Sequence, residues 1–408
     1  MNNTVKLKNI SKTIGSGITP LRSNPRFWEN GTIYWLKTEQ LGEHQIYETS
    51  EKISQYAIDK TSIKIFPKNT LSIAMYGEGR TRGNVSILKA EMTTNQACCN
   101  IVIDNKKADY EYVYYFLKTQ YINLRSLSSG VRKNLNSNDI KEFEIRLPNE
   151  MQTQNKIAKV LSDLDAKIQL NNKINDNLEL MAKTLYDYWF VQFDFPDANG
   201  KPYKTSGSKM VWNEELKREI PEGWEIGELK DIANITMGQS PPGESYNEEG
   251  NGMIFYQGCT DFGNRFPTIR KYTTSPTRFA KQGDILLSVR APVGTLNISK
   301  EDCCIGRGLA CMNSKNDSIT YLFGVMVNLK QIFDRRNVSG TTFGSITKDD
   351  LFSLPVIIPN EKTVRAFQNL VFSSFEKQNK IELENIELAS LREWLLPMLM
   401  NGQVKIPD

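Results

Sequence analysis

The chain has a single histidine, His44, in 408 residues. Metal sites built on paired histidines need a second imidazole, and most acyl-transfer triads need one set beside a nucleophile. Both classes are nearly closed. No run of eighteen apolar residues could cross a bilayer, and no secretory leader pattern opens the chain, so a cytoplasmic protein is expected. The six cysteines form no CxxC pair: Cys98-Cys99 and Cys303-Cys304 are adjacent, and Cys259 and Cys311 stand alone, which reads as free thiols. Neither a GxxxxGK(S/T) phosphate loop nor a strand-bounded GxGxxG occurs. The NPPY and DPPY tetrapeptides of amino-methyltransferases are missing too. Charge of one sign is also scarce. Lysine plus arginine exceeds aspartate plus glutamate by 51 to 47, a net +4, too little to grip a polyanion unaided.

What is present is a repeat. Leu7-Lys8-Asn9-Ile10 and Leu229-Lys230-Asp231-Ile232 each lead to a glycine turn, at Gly15 and Gly17 or at Gly238. The strand-like runs 70–77 and 284–291 follow Asn69 and Gly283 and end in glycine loops at Gly83 and Gly294. Asn95-Gln96-Ala97 matches Gly306-Arg307-Gly308, and LPNE at 147–150 matches IPNE at 358–361. The loop 75–84 is about three residues longer than its counterpart 289–295.

Residues 149–195 and 360–396 contain no glycine or proline, so both are predicted as long helices. In the first, Ile157, Leu161, Leu164, Ile168, Asn171, Asn175, Leu178, Ala182, Leu185 and Trp189 fall at steps of four and three, the seam of a coiled coil. In the second the same stepping passes through Val364, Phe367, Val371, Ser374, Gln378, Ile381, Asn385, Leu388, Arg392 and Leu395, a more polar seam. Buried amides at Asn171, Asn175, Gln378 and Asn385 would penalise wrong registers, so the two helices are expected to pair with each other. The matching repeats drift in register, which predicts a first helical region one turn longer than the second. Apolar residues outside the seams, Val160, Ile174, Met181, Tyr186 and Phe190, are candidates for a partner surface. The polar stretch after the first helix reads as an exposed connector. Within it Pro196-Asp197 and Glu215-Leu216-Lys217 imitate a PD-(D/E)xK nuclease site, but with no apolar alternation to build the sheet such a site needs, solvated charge is the better reading.

The strings LYDYWFVQFDFP at 185–196, PEGWE at 221–225, GDILLSVRAPVG at 283–294 and LREWLLPMLMNGQVKI at 391–406 resemble the specificity subunit of type I restriction-modification systems, over the whole chain. That resemblance implies an α/β fold with α+β heads: two pseudo-repeated DNA-recognition domains joined by a long antiparallel two-helix coiled coil. The expected layout is a first recognition domain at 1–148, a helical region at 149–192, a connector at 193–220, a second recognition domain at 221–359 and a helical region at 360–402. The implied partners are double-stranded DNA, two methyltransferase subunits docked on the helices and, in some systems, restriction or motor subunits, in a bacterial or archaeal cytoplasm. No catalytic, metal or cofactor residue is expected here; S-adenosylmethionine, and ATP with Mg2+ where a motor subunit exists, would bind the partners.

Base reading needs forked donors or amides that reach a groove edge, with cations on phosphates. The first head offers Tyr34, Lys37, Arg80, Arg82, Asn95, Gln96, Arg132, Lys133 and Asn134; the second offers Gln257, Arg265, Arg270, Arg278, Arg290, Arg307, Thr342 and Lys348. Each head is expected to read half of a bipartite, asymmetric site, with the rod fixing the unread stretch. The rivals are a two-headed protein-interaction scaffold, which would show no salt-dependent DNA binding; a specificity subunit of a methyltransferase or type II-like system without a motor subunit; and an enzyme in its own right, disfavoured by the absences above.

Overall fold

The computed structural model describes residues 2–77, 79–127, 134–338 and 345–406. The chain folds as two units, residues 1–169 with 387–408 and residues 170–386. The long helices are therefore not domains of their own. Each has one end in each unit.

In the first unit the main sheet runs Ser11–Ser16, Cys98–Ile103, Leu71–Ala74, Val85–Leu88 and Gln45–Ile46, antiparallel except at the last pair. In the second unit Ala233–Met237, Leu309–Ser314, Ile285–Ser288 and Leu296–Ile298 form an antiparallel sheet whose strands follow the same order. The central strands Leu71–Ala74 and Ile285–Ser288 are buried at every position, Ser72 and Ser288 included, so neither has a solvent-facing side. Just before them Asn69 and Gly283 take positive φ, 68° and 88°, the turn conformation those two residue types tolerate best. A smaller sheet repeats as well. Ile33–Leu36 pairs antiparallel with Glu51–Ile53 and parallel with Thr93–Thr94, as Met253–Tyr256 does with Tyr272–Thr273 and Cys303–Ile305. The duplication is thus one of topology, and the heads are α+β.

Each unit's core takes in one end of both long helices. The first buries Ile157, Ala158 and Leu161 together with Leu396, Leu399 and Met400 against the sheet and the tyrosine-rich helix Tyr110–Thr119. The second buries Tyr186, Trp189 and Phe190 together with Val364, Phe367 and Val371. At about 1.5–3 kcal/mol for each large apolar side chain, burial of this kind fixes head to helix far more firmly than surface ion pairs could.

The helices run Met151–Tyr186 and Glu361–Met400, 36 and 40 residues, and the first continues in a five-residue π turn, Asp187–Val191. The expected extra turn in the first is therefore absent; the register drift is taken up within helices of nearly equal length. Of the seam positions, Ile157, Leu161, Asn171, Phe367, Val371, Gln378, Ile381 and Asn385 are buried, and Leu164, Ile168, Asn175, Leu178, Leu185, Leu388 and Leu395 are half-buried. In the second unit Asn171 Nδ2 donates to Asn385 Oδ1 at 3.0 Å and Glu384 Oε2 at 2.8 Å, and Asn385 Nδ2 donates to Asn172 Oδ1 at 2.8 Å. Further along, Gln378 Nε2 donates to the Asn175 carbonyl at 3.2 Å. One residue number rises as the other falls, so the pairing is antiparallel. In the first unit Asp165, which the apolar seam pattern passes over, is buried and accepts from Tyr115 Oη and Arg392 Nη1, both at 2.6 Å.

The segment 193–220 is largely exposed, as a connector would be, but it is locally ordered and anchored by its buried ends. Phe195 stacks between Tyr203 and Trp224, at 4.6 and 4.8 Å, and Arg218 lies over the Phe193 ring at 4.4 Å. Met210–Asn213 and Arg218–Pro221 form a hairpin. The false nuclease motif dissolves in this context: Asp197 Oδ1 accepts from the Asn199 and Lys201 amides, and Lys217 pairs with Glu214. Those carboxylates shape turns.

Candidate nucleic-acid interface

In each head three loops meet at one edge of the sheets, joined by the same backbone bonds. In the first, Ile18 N–H donates to the Thr94 carbonyl, Asn95 N–H to Leu36 and Cys98 N–H to Asn95, at 2.9, 2.9 and 3.2 Å. In the second, Gln239 N–H donates to Ile305, Gly306 N–H to Tyr256 and Leu309 N–H to Gly306, at 3.0, 2.8 and 2.9 Å. A Cβ on Gly17 would lie 2.0 Å from the Thr94 carbonyl oxygen, and one on Gly238 2.2 Å from that of Gly306. The repeated glycine is there because two backbones touch.

A fourth loop joins this edge. Met75 N–H donates to Ala97 and Val289 N–H to Gly308, at 2.8 and 3.0 Å, which brings up the segments carrying Arg80 and Arg290. Gly83 and Gly294 close these loops with bonds to Ala74 and Ser288, nine and six residues back, so the first is three residues longer. In the second head a further loop arrives with Arg278, whose carbonyl accepts from Ile305 N–H at 2.9 Å.

The candidates separate on this frame. Arg278, Arg290 and Arg307 are exposed at the edge of the second head, and no side-chain hydrogen bond or ion pair engages them among the described residues. Gln257 lies among them and donates through Nε2 to Ser240 Oγ at 2.9 Å. In the first head Gln96 is exposed and accepts from Thr19 Oγ1, Asn95 Oδ1 accepts from the Ala97 amide at 3.1 Å, and Lys37 is held by Glu39 and Glu51 at 2.6 and 2.8 Å. Arg80 is exposed; Arg82 and Asn134 are half-buried, and the Arg80 and Arg82 carbonyls accept from Tyr121 and Arg125. Tyr34 sits in its strand, with Lys52 over the ring.

Arg265 is placed elsewhere. It grips the second long helix, bonding Asn379 Oδ1 and the Phe375 carbonyl and lying 4.4 Å over the Phe375 ring; burial there lowers its guanidinium to about 10. An arginine in that setting holds a head to a helix and has no fork to offer a base. Arg270 is tied to Asp261, and Lys348 lies over Phe352 at the start of a short helix. Arg132, Lys133 and Thr342 lie outside the described residues.

Thr19 and Ser240 are the two hydroxyls of this edge that base-reading chemistry alone does not single out. Their signal was available: each is a hydroxyl two residues after the repeated glycine.

His44 stands apart from this edge. It stacks on Tyr114, with Nδ1 3.3 Å from Asp165, and burial lowers its pKa to about 4 despite that carboxylate. No group of three or more histidine, cysteine, aspartate or glutamate residues able to hold a metal occurs among the described residues. The cysteines 98, 99, 303, 304 and 311 are buried and free.

The repeat seen in topology and in these loops is matched by a family model, type I restriction modification DNA specificity domain, at residues 2–180 and again at 221–391. The chain belongs to this family. As a specificity chain it carries DNA sequence specificity and is a non-catalytic part of its system. The type I restriction enzyme MjaIX specificity subunit of Methanocaldococcus jannaschii is 28% identical over 99% of this chain and 93% of its own length. The HindI specificity subunit of Haemophilus influenzae is 22% identical over 70% of this chain and 74% of its own. Among solved structures, a type I restriction-modification S subunit from M. genitalium shares the fold, with a TM-score of 0.64 at 18% identity over 100% of this chain and 96% of that one.

Proposed function

We propose that each head of this specificity chain reads one half of a bipartite, asymmetric duplex site, and that the paired helices set the number of base pairs left unread. The observation that carries this reading is the loop edge described above: one backbone frame, built twice, with different side chains mounted on it. Frames that share these bonds would meet a groove in the same way, and different side chains would select different bases. The two halves of the target are therefore unlike.

Methyltransferase subunits dock on the helices, where Leu180, Met181, Leu391 and Trp394 are exposed although large and apolar. Tyr186 and Phe190, counted toward that surface from sequence, are buried in the second core and unavailable to a partner. S-adenosylmethionine belongs to those subunits, as do ATP and Mg2+ where a motor accompanies them. With a net charge of +4 the chain binds DNA weakly alone and more tightly once partners close around the duplex. The test is to map methylated adenines in cells with and without the chain. One bipartite pattern should vanish with it; an unchanged map removes the reading, and the lack of any salt-dependent DNA binding would favour the scaffold rival.

A further inference from the structure

Within the loop edge, two positions are equivalent by the backbone bonds that the two heads share and yet differ in chemistry. Gln96 follows Asn95, whose N–H donates to Leu36, and Arg307 follows Gly306, whose N–H donates to Tyr256. Both side chains are exposed. The neighbouring pair at the same edge is engaged instead: Lys37 is held by two glutamates, and Gln257 is bound to Ser240 and boxed in by Gly306 and Gly308, where a Cβ would lie 3.0 and 2.7 Å from its backbone. Lys37 and Gln257 support the edge. Gln96 and Arg307 project from it.

A hydroxyl braces each of these positions. Thr19 Oγ1 donates to Gln96 Oε1, and Ser240 Oγ accepts from the Arg307 amide at 3.3 Å while also accepting from Gln257. Thr19 takes one lone pair of the glutamine oxygen and leaves the other, with both N–H groups, for a ligand. Ser240 fixes the loop and leaves the whole guanidinium fork free. A long side chain already held in place costs less to order on binding. In the major groove an amide, with one acceptor and one donor, matches the N6–H and N7 of adenine, whereas two parallel donors match the O6 and N7 of guanine.

The geometry points to Gln96 and Arg307 as the matching specificity-determining positions of the two heads: Gln96 reads an adenine in one half-site and Arg307 a guanine in the other, with Thr19 and Ser240 as positioning residues. This rests on the reading of the chain as a duplex-reading subunit. The experiment uses the full chain co-expressed with the modification subunits of its system, with methylated motifs mapped across genomic DNA for the wild type, Gln96→Ala, Arg307→Ala, Gln96→Arg and Thr19→Ala. Gln96→Ala should relax one adenine position in one half-site and Arg307→Ala one guanine position in the other, each losing roughly ten-fold or more in discrimination. Gln96→Arg should turn that adenine preference toward guanine. Thr19→Ala should relax the Gln96 position more weakly and no other. Competition binding of the purified complex to duplexes altered one base pair at a time reads the same quantity for a variant too weak to methylate. An alanine variant that keeps the full wild-type motif, or one that relaxes both half-sites, overturns the assignment. A wild-type chain that yields no bipartite motif overturns the underlying reading instead.

Discussion

If the helices act as a ruler, lengthening both by one turn must lengthen the unread stretch of the target. Four residues inserted after Lys167 and four after Glu387, both exposed, leave the Asp165–Arg392 ion pair and the Asn171–Asn385 bond untouched. At about 1.5 Å per residue the insertion adds roughly 6 Å, and at about 100° per residue it adds a net rotation of roughly 40° beyond a full turn. Two base pairs add roughly 7 Å and, at 10–10.5 pairs per turn, roughly 70° in the same hand. The residual of about 30° is within what duplex twist absorbs at modest cost. A seven-residue insertion would respect the heptad better but adds roughly 10 Å with a net rotation of about −20°, a poorer match to the roughly 100° of three base pairs. The four-residue insertion breaks the heptad phase locally, so its thermal unfolding is followed by circular dichroism alongside. Motif mapping should then return the same two half-sites with the spacer longer by one or two base pairs. A folded, active variant with an unchanged spacer would refute the ruler.

His44 adds a pH dependence. Its folded pKa of about 4 lies below the ordinary 6.5, so between those values the unfolded chain binds more protons; the stability it contributes is present above pH 6.5 and lost as pH falls toward 4. The full amount is about 3 kcal/mol, and urea titrations of the wild type against His44→Gln should diverge only across that window. Asp165→Ala strips a buried acceptor from Tyr115 and Arg392 and should cost about 3 kcal/mol, read from the urea midpoint; a loss of a few tenths would remove the clamp from the account. Asn171→Leu leaves the Asn385 amide short of a partner and should cost about 1–3 kcal/mol, whereas Asn171→Leu with Asn385→Leu should regain stability but allow shifted registers, visible as disulfide cross-linking at more than one engineered cysteine pair. Gly238→Ala presses a Cβ against the Gly306 carbonyl and should blunt reading of the second half-site alone, with the first half of the motif unchanged.

How much of this was legible follows from what leaves a local mark in sequence. The repeat was visible because each of its signals is short-range: a left-handed residue before a buried run, a glycine where backbones touch, an Asn-Glu pair ahead of a helix. The seam was visible because the helix period is fixed by geometry. Asp165 and Arg265 were hidden for the opposite reason. A search for an apolar seam passes over the aspartate, and an arginine in a loop reads as surface until Asn379 and the Phe375 ring, more than a hundred residues on, are seen to enclose it. In residues 193–220 the many polar residues and glycines mark the exposure of most of the segment, while its anchoring, Phe193 and Phe195 against Trp224, is a long-range contact that composition does not show. The same asymmetry bears on the reading edge. Sequence offers Arg265, Arg270 and Arg307 alike as loop arginines, but only the backbone frame separates Arg307, which stands free on a braced loop, from Arg265 and Arg270, which are occupied in holding the head together. Specificity in such a chain is therefore expected to change through residues like Gln96 and Arg307 without disturbing the frame, because the frame is held by main-chain bonds, close-packed glycines and the side chains of Asn95, Ser240 and Gln257, and none of those bonds uses the Gln96 or Arg307 side chain.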